Sequence, residues 1–102
     1  MARVVVFAPE FDMDVDEAIA WLETKVSGLG DAFIAAVEHV ISEVVDHPAA
    51  FREVRPMVHR AIIRKYRYLV FFRLRGDMLQ FLGVVHGTRE VDLWLDSRVG
   101  PK

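Results

Sequence analysis

Gly76 and Asp77 constrain this chain more than any other pair of residues. They separate Tyr68–Arg75 from Met78–His86, two runs rich in β-branched and aromatic residues. Glycine in the first turn position suits the type II′ turn that closes a two-residue hairpin. Such a turn sets the register. Arg75 faces Met78, and every pair outward from it follows. Tyr68, Val70, Phe72 and Leu74 then lie opposite Val85, Gly83, Phe81 and Leu79. That face is wholly apolar and must be buried against another layer. The second face is mixed, with Arg67, Leu69, Phe71, Arg73 and Arg75 opposite His86, Val84, Leu82, Gln80 and Met78.

The covering layer is supplied upstream. Arg3 to Ala8 reads as a strand closed by Pro9, and Glu10 to Met13 as a polar connection. Asp14 is placed as a helix N-cap with Glu17 three residues on, a capping box with Asp16 and Glu17 favouring the helix dipole. Val15, Ala18, Ile19, Leu22 and Val26 recur at helical spacing up to Ser27–Gly28, with Trp21 widening the stripe. A second helix opens near Gly30–Asp31. It carries Phe33, Ile34, Val37, Ile41, Val44 and Val45 on one face and stops at His47–Pro48. So short a connection makes the two helices antiparallel. Val58 to Arg64 reads as another strand. The expected fold is α+β and a single domain over residues 1–102. It is a two-layer sandwich: an N-terminal strand, then an antiparallel helical hairpin packed on an antiparallel β-sheet with a C-terminal three-stranded meander. On the mixed face Leu69, Phe71, Leu82 and Val84 need a cover, from the C-terminal tail, a second copy or a partner.

An apolar fraction of 53% excludes a disordered chain. The absence of cysteine excludes a disulfide framework and thiolate chemistry. The apolar run Val4–Ala8 is too short for a signal peptide or a bilayer span, so a cytoplasmic protein with no membrane partner is expected. His39 and Glu43 share a helix face but are only two ligands, so no metal is expected. Charge is split between the halves. Residues 1–50 carry ten acidic side chains against Arg3 and Lys25, and residues 51–102 carry eleven basic against five acidic. A basic half of this kind suits an anionic partner, nucleic acid or an acidic protein segment.

Several stretches together carry a family resemblance. They are Glu17-Ala18-Ile19-Ala20-Trp21, Gly28-Leu29-Gly30-Asp31-Ala32-Phe33, His47-Pro48, Phe51, Glu53-Val54-Arg55 and Arg60 to Arg64, then Tyr68-Leu69-Val70-Phe71-Phe72, Val85-His86-Gly87-Thr88-Arg89 and Trp94. In this order the chain resembles the RelE/ParE superfamily of type II toxin–antitoxin toxins, in its ParE-like (plasmid stabilisation protein) branch. The likeness spans roughly residues 3–95. It implies the same sandwich, a cognate antitoxin whose flexible C-terminal segment wraps the toxin in a hetero-oligomer, and DNA gyrase as target. An acidic, partly apolar segment would suit the basic, greasy sheet face: Arg60, Arg64, Arg67, Leu69, Phe71, Arg73, Arg75, Leu82 and Val84. The resemblance directs toxicity to the last strand and tail, at His86, Arg89, Trp94 and Arg98.

The superfamily also contains RelE-like, ribosome-dependent mRNA endonucleases, which need a base, an acid and cations around the phosphorane. On that alternative reading, a metal-independent endoribonuclease, Arg64, Arg73, His86 and Arg89 would be catalytic. Against it, Tyr68 opens the central strand where those enzymes have arginine, and Ala61-Ile62-Ile63 stands where they tend to have lysine. The pI of about 6.0 is low for a ribosome-binding enzyme. His86 is expected to face Arg67, which disfavours its charged form. The expected mode is therefore binding, with no catalytic residues and no cofactor. A family member that only binds its antitoxin is the remaining alternative.

Overall fold

In the computed structural model, which describes residues 3–101, the chain runs β1 (Val4–Phe7), α1 (Pro9–Glu23), α2 (Leu29–Asp46), β2 (Arg52–Arg55), β3 (Val58–Ile63), β4 (Tyr68–Arg75), β5 (Met78–His86) and α3 (Val91–Val99). Single 3₁₀ turns, Pro48–Ala50 and Arg64–Tyr66, join α2 to β2 and β3 to β4. The sheet order is β1-β5-β4-β3-β2; β1 runs parallel to β5 and the other pairs are antiparallel. This is the α+β sandwich expected, a helical hairpin on a mostly antiparallel sheet. β2 and α3 were not foreseen. β2 reads Arg-Glu-Val-Arg and shows no apolar run, and α3 carries too even a mixture of side chains to display a stripe.

Helix α1 corrects the capping assignment. It starts at Pro9, whose missing N–H costs nothing in the first turn, and ends at Glu23 rather than at Ser27–Gly28. Asp14 is therefore no cap. It lies inside the helix, on the buried stripe with Phe11 and Ala18. Trp21 does not widen that stripe, being 54% exposed with Lys25 Nζ 4.0 Å above its ring. From the far end of α1 the Glu23 carboxylate accepts the amides of Gly28 (3.2 Å) and Gly30 (2.6 Å), capping α2 across the connection. Those two hydrogen bonds hold its pKa below the usual carboxylate value.

The hairpin register holds for four pairs, from Arg75↔Met78 to Phe72↔Phe81, with Gly76 at φ +60° as the turn requires. Then β5 bulges. Phe71 faces Gly83, and Leu82 is the extra residue. Every later partner slips by one. Val84, expected on the mixed face, joins the helix-side core with Val70, Phe72 and Phe81, while Val85 turns to the other side. His86 faces Tyr68, not Arg67. Tyr68 points into the core, as its place on the apolar face requires.

The cover for the mixed face is the chain's own α3. Leu95, Trp94, Val91 and Val99 pack on Val58, Phe71, Leu82 and Val85 as a second, smaller cluster. Arg55 fixes this helix from β2. Its buried guanidinium donates to the carbonyls of Asp92 (3.1 Å) and Gly100 (3.2 Å) and pairs with the Asp96 carboxylate at 2.8 Å.

Candidate functional site

Between α1 and α3, over the bulged end of β5, lies a groove of about 640 Å³. Its base is one ionic assembly. The bulge turns the Val84 amide away from the ladder, and it donates to Asp14 Oδ2 at 2.9 Å. Arg98 comes from α3 and grips the same carboxylate with both nitrogens, Nη1–Oδ2 at 2.8 Å and Nη2–Oδ1 at 2.7 Å. Arg98 also donates to the Leu82 carbonyl at 3.4 Å and stacks over Trp94 at 4.4 Å. Asp14 is 9% exposed, so a carboxylate there needs this full set of donors. The hydrogen bond to Asp14 raises the guanidinium pKa above its ordinary value. Glycine at position 83 makes room for this assembly. A Cβ there would run into Arg98 Nη1, Asp14 Oδ2 and Trp94 Cζ2.

The walls carry different chemistry. α1 contributes Glu10, Met13, Glu17 and Trp21; α3 contributes Trp94, Ser97 and Arg98; the end of β5 contributes His86, and the loop after it Thr88 and Arg89. Ala18, Tyr68, Val84 and Val85 complete the lining. Met13 is 66% exposed, so with Trp21 the acidic wall carries two large apolar side chains. His86 is tied to Thr88: its Nδ1 accepts the Thr88 amide at 3.2 Å and lies 2.7 Å from the Thr88 hydroxyl. The ring stands edge-on to Tyr68 at 4.9 Å. Burial pushes the Tyr68 phenol pKa up, with Arg89 opposing the shift.

Four residues expected at the toxic end, His86, Arg89, Trp94 and Arg98, thus line one groove. The four offered for phosphodiester cleavage do not converge. Arg64 lies in the turn before β4, at the His86 end of the sheet. Arg73 lies five residues along β4 from Tyr68, about 17 Å at strand rise. Of the nine residues expected to meet an antitoxin, Phe71 and Leu82 lie in the cluster beneath α3 and Val84 lies under the helices. Leu69, Arg60 and Arg73 are half-buried, and Arg64, Arg67 and Arg75 are exposed. Ile62, opposite Leu69 and 43% exposed, belongs beside them and was not singled out. Asp14, expected only as a helix cap, instead anchors this site. A lone carboxylate in the periodic stripe Phe11–Asp14–Ala18 is the signal that should have called for a buried cation.

The groove has the features of a contact surface: exposed aromatics, both charge signs and a fixed base. Among the described residues no group of three or more His, Asp or Glu side chains is placed to hold a metal ion, and no helix is long and apolar enough to cross a membrane.

Residues 5–91 match the family described as the ParE toxin of type II toxin–antitoxin system, parDE, and the chain belongs to that family. Membership implies an antitoxin partner. Among solved structures, the chain is similar to the chromosomal ParDE toxin–antitoxin system from P. aeruginosa. That match has a TM-score of 0.72 and 10% identity, covering 82% of this chain and 95% of the other. So low an identity speaks for the fold. A comparison with curated proteins gave no match.

Proposed function

We propose that this chain is the toxin of a type II pair, acting in the cytoplasm by binding DNA gyrase and neutralised by an antitoxin. The observation that carries this reading is the groove between α1 and α3. It gathers His86, Arg89, Trp94 and Arg98 onto one surface without bringing Arg73 near them. Such a surface fits binding better than strand cleavage, because a metal-independent nuclease needs its cations around a single phosphate. The antitoxin surface is the exposed remainder of the basic sheet. Arg60, Ile62 and Leu69 form its centre, with Arg64 and Arg67 at one end and Arg73 and Arg75 at the other. An acidic segment with alternating apolar residues would complement it.

The deciding experiment compares DNA and protein synthesis in the first minutes after the chain is induced alone in bacteria, followed by a gyrase supercoiling assay. DNA synthesis should fall first. Purified protein should inhibit supercoiling, and Arg89→Glu, on the exposed lip of the groove, should relieve the inhibition while the fold persists. Supercoiling unchanged at high toxin excess overturns the gyrase reading. Protein synthesis falling first would move the target to the ribosome.

A further inference from the structure

The helical layer reaches the β1 edge of the sheet only in part, through Phe11 of α1, which packs edge-on against Phe7 at 5.2 Å. β1 is an edge strand, and all four of its residues are exposed: Val4 at 55%, Val5 and Val6 at 39%, Phe7 at 42%. On the helix side Val5 and Phe7 lie beside Leu79 and Phe81, with Phe7 stacked on Phe81 at 4.9 Å, yet Phe7 remains two-fifths open. On the other face Val4 and Val6 lie beside Met78 and Gln80, away from the cluster that α3 covers. The strand's backbone is half used. The Val4 and Ala8 amides donate to Asp77 and Phe81 of the β5 hairpin. By the alternation of a parallel ladder, the N–H and C=O groups of Val5 and Phe7 therefore point to the open edge. Apolar edges are usually blunted by shortness or by a charge, a proline or a bulge inside the strand; β1 is short, four residues, but has no charge, proline or bulge within it.

We infer that β1 is the docking edge for a second copy of this chain, pairing β1 with β1 antiparallel about a two-fold axis at Val6. Three observations select that occupant. A partner strand must be apolar on both faces to cover Val4 and Val6 as well as Val5 and Phe7, and Val4–Phe7 is itself such a run. With Val6 on the axis, Val5 and Phe7 of one copy exchange backbone hydrogen bonds with Phe7 and Val5 of the other. All four open-edge groups of each copy are then satisfied, with a β-branched residue beside an aromatic one. The same pairing carries Arg3, at the start of the strand, toward the copy's Pro9–Glu10, so the opposite charges that flank the run meet. A pairing centred on Phe7 would set Val5 against Pro9, which has no N–H to give. One centred on Val5 would set Arg3 against Phe7. The contact is isologous and closes at two copies.

The chain has no cysteine, so an introduced thiol reports on one position only. At Val6 the two strands face each other as a non-hydrogen-bonded pair, within the Cα separation a disulfide accepts. Under mild oxidation, V6C should give the covalent dimer roughly tenfold faster than V4C, whose thiol would face Ala8, or V26C in the α1–α2 connection. In sedimentation, the unmodified protein should pass from monomer to dimer as it is concentrated. Val6→Lys, which opposes two ammonium groups at the axis, should remain monomeric with an unchanged circular dichroism spectrum. A monomer at every concentration overturns the proposal and leaves the edge to a different chain. Cross-linking of V4C as fast as V6C overturns the register, and a Val6→Lys dimer overturns the interface.

Discussion

Asp14 decides more of this molecule than any other single side chain. It is the one carboxylate on the buried stripe of α1, and it ties that helix to the β5 bulge and to α3 through Val84 and Arg98. Removing one partner leaves the other charge buried and unpaired. Arg98→Met should therefore cost about 3 kcal/mol, read as a lower urea midpoint. The double variant Asp14→Asn with Arg98→Met should recover much of that loss, since a neutral amide oxygen still accepts the Val84 N–H and needs no ionic partner. Tyr68 gives a second residue-scale test. There are two tyrosines, Tyr66 and Tyr68, and burial raises the pKa of the second. Its preference for the neutral phenol in the folded state stabilises the protein fully below the unfolded tyrosine pKa. That contribution is lost as pH rises through the raised folded value. Absorbance titration near 295 nm should show one phenol ionising above the ordinary tyrosine range, and Tyr68→Phe should abolish that step alone. Glu23 carries the opposite sign. Its lowered pKa stabilises the fold above the unfolded glutamate value, and this is lost as pH falls through the lower folded value. Glu23→Gln should therefore lower Tm at neutral pH, with the gap to the parent narrowing under acid.

At the scale of elements, legibility followed how much of each segment's packing is local. The β4–β5 hairpin was readable because its turn and alternation lie within nineteen contiguous residues, Tyr68 to His86. The two helices were readable from their periodicity. The bulge at Leu82–Gly83 was not, because its causes are distant. Asp14 and Arg98 meet the strand there from positions 70 and 16 or fewer residues away in sequence. One extra residue then exchanged the faces of Val84 and Val85 and moved His86 from Arg67 to Tyr68. His86 keeps its place at the end of the sheet, since a slip of one position moves a side chain across the sheet but not along it, and there it shares the groove with Arg89, Trp94 and Arg98. Helix α3 escaped notice because its apolar residues address a face whose exposure only the completed sheet reveals. Its role gives a prediction at this scale. Leu95 is 2% exposed at the centre of the smaller cluster, so Leu95→Ala should cost about 2–5 kcal/mol. Trp94 lies 5.4 Å from Phe71, so its fluorescence should shift red as α3 loosens, at a denaturant concentration below that for the loss of helical signal from α1 and α2.

Over the whole molecule, the charge split along the chain becomes a split in space. Nine exposed acidic residues, Glu10, Asp12, Asp16, Glu17, Glu23, Asp31, Glu38, Glu43 and Asp46, lie on α1 and α2, against four elsewhere among the described residues, Glu53, Asp77, Glu90 and Asp92. Apart from Arg3 and Lys25, the exposed basic residues among those described, Arg52, Arg64, Lys65, Arg67, Arg75 and Arg89, lie on the strands and their connections. A formal net charge of −2 therefore describes neither surface. An anion attracted to the sheet meets a field set by nearby arginines, because charges more than about 10 Å away are screened at moderate salt. A polyanion such as heparin should consequently bind this protein at pH 7 despite its net negative charge, and an anion-exchange resin should bind it through the helices. Exchanging Arg64 and Arg67 for glutamine should weaken heparin retention and leave resin retention unchanged or stronger. Exchanging Glu38 and Glu43 for glutamine should do the reverse. If net charge governed binding, both exchanges would shift both retentions together in proportion to the charge removed. Independent shifts mean that each face acts as its own electrostatic surface, so an acidic segment can be steered to the sheet without being turned away by the helices.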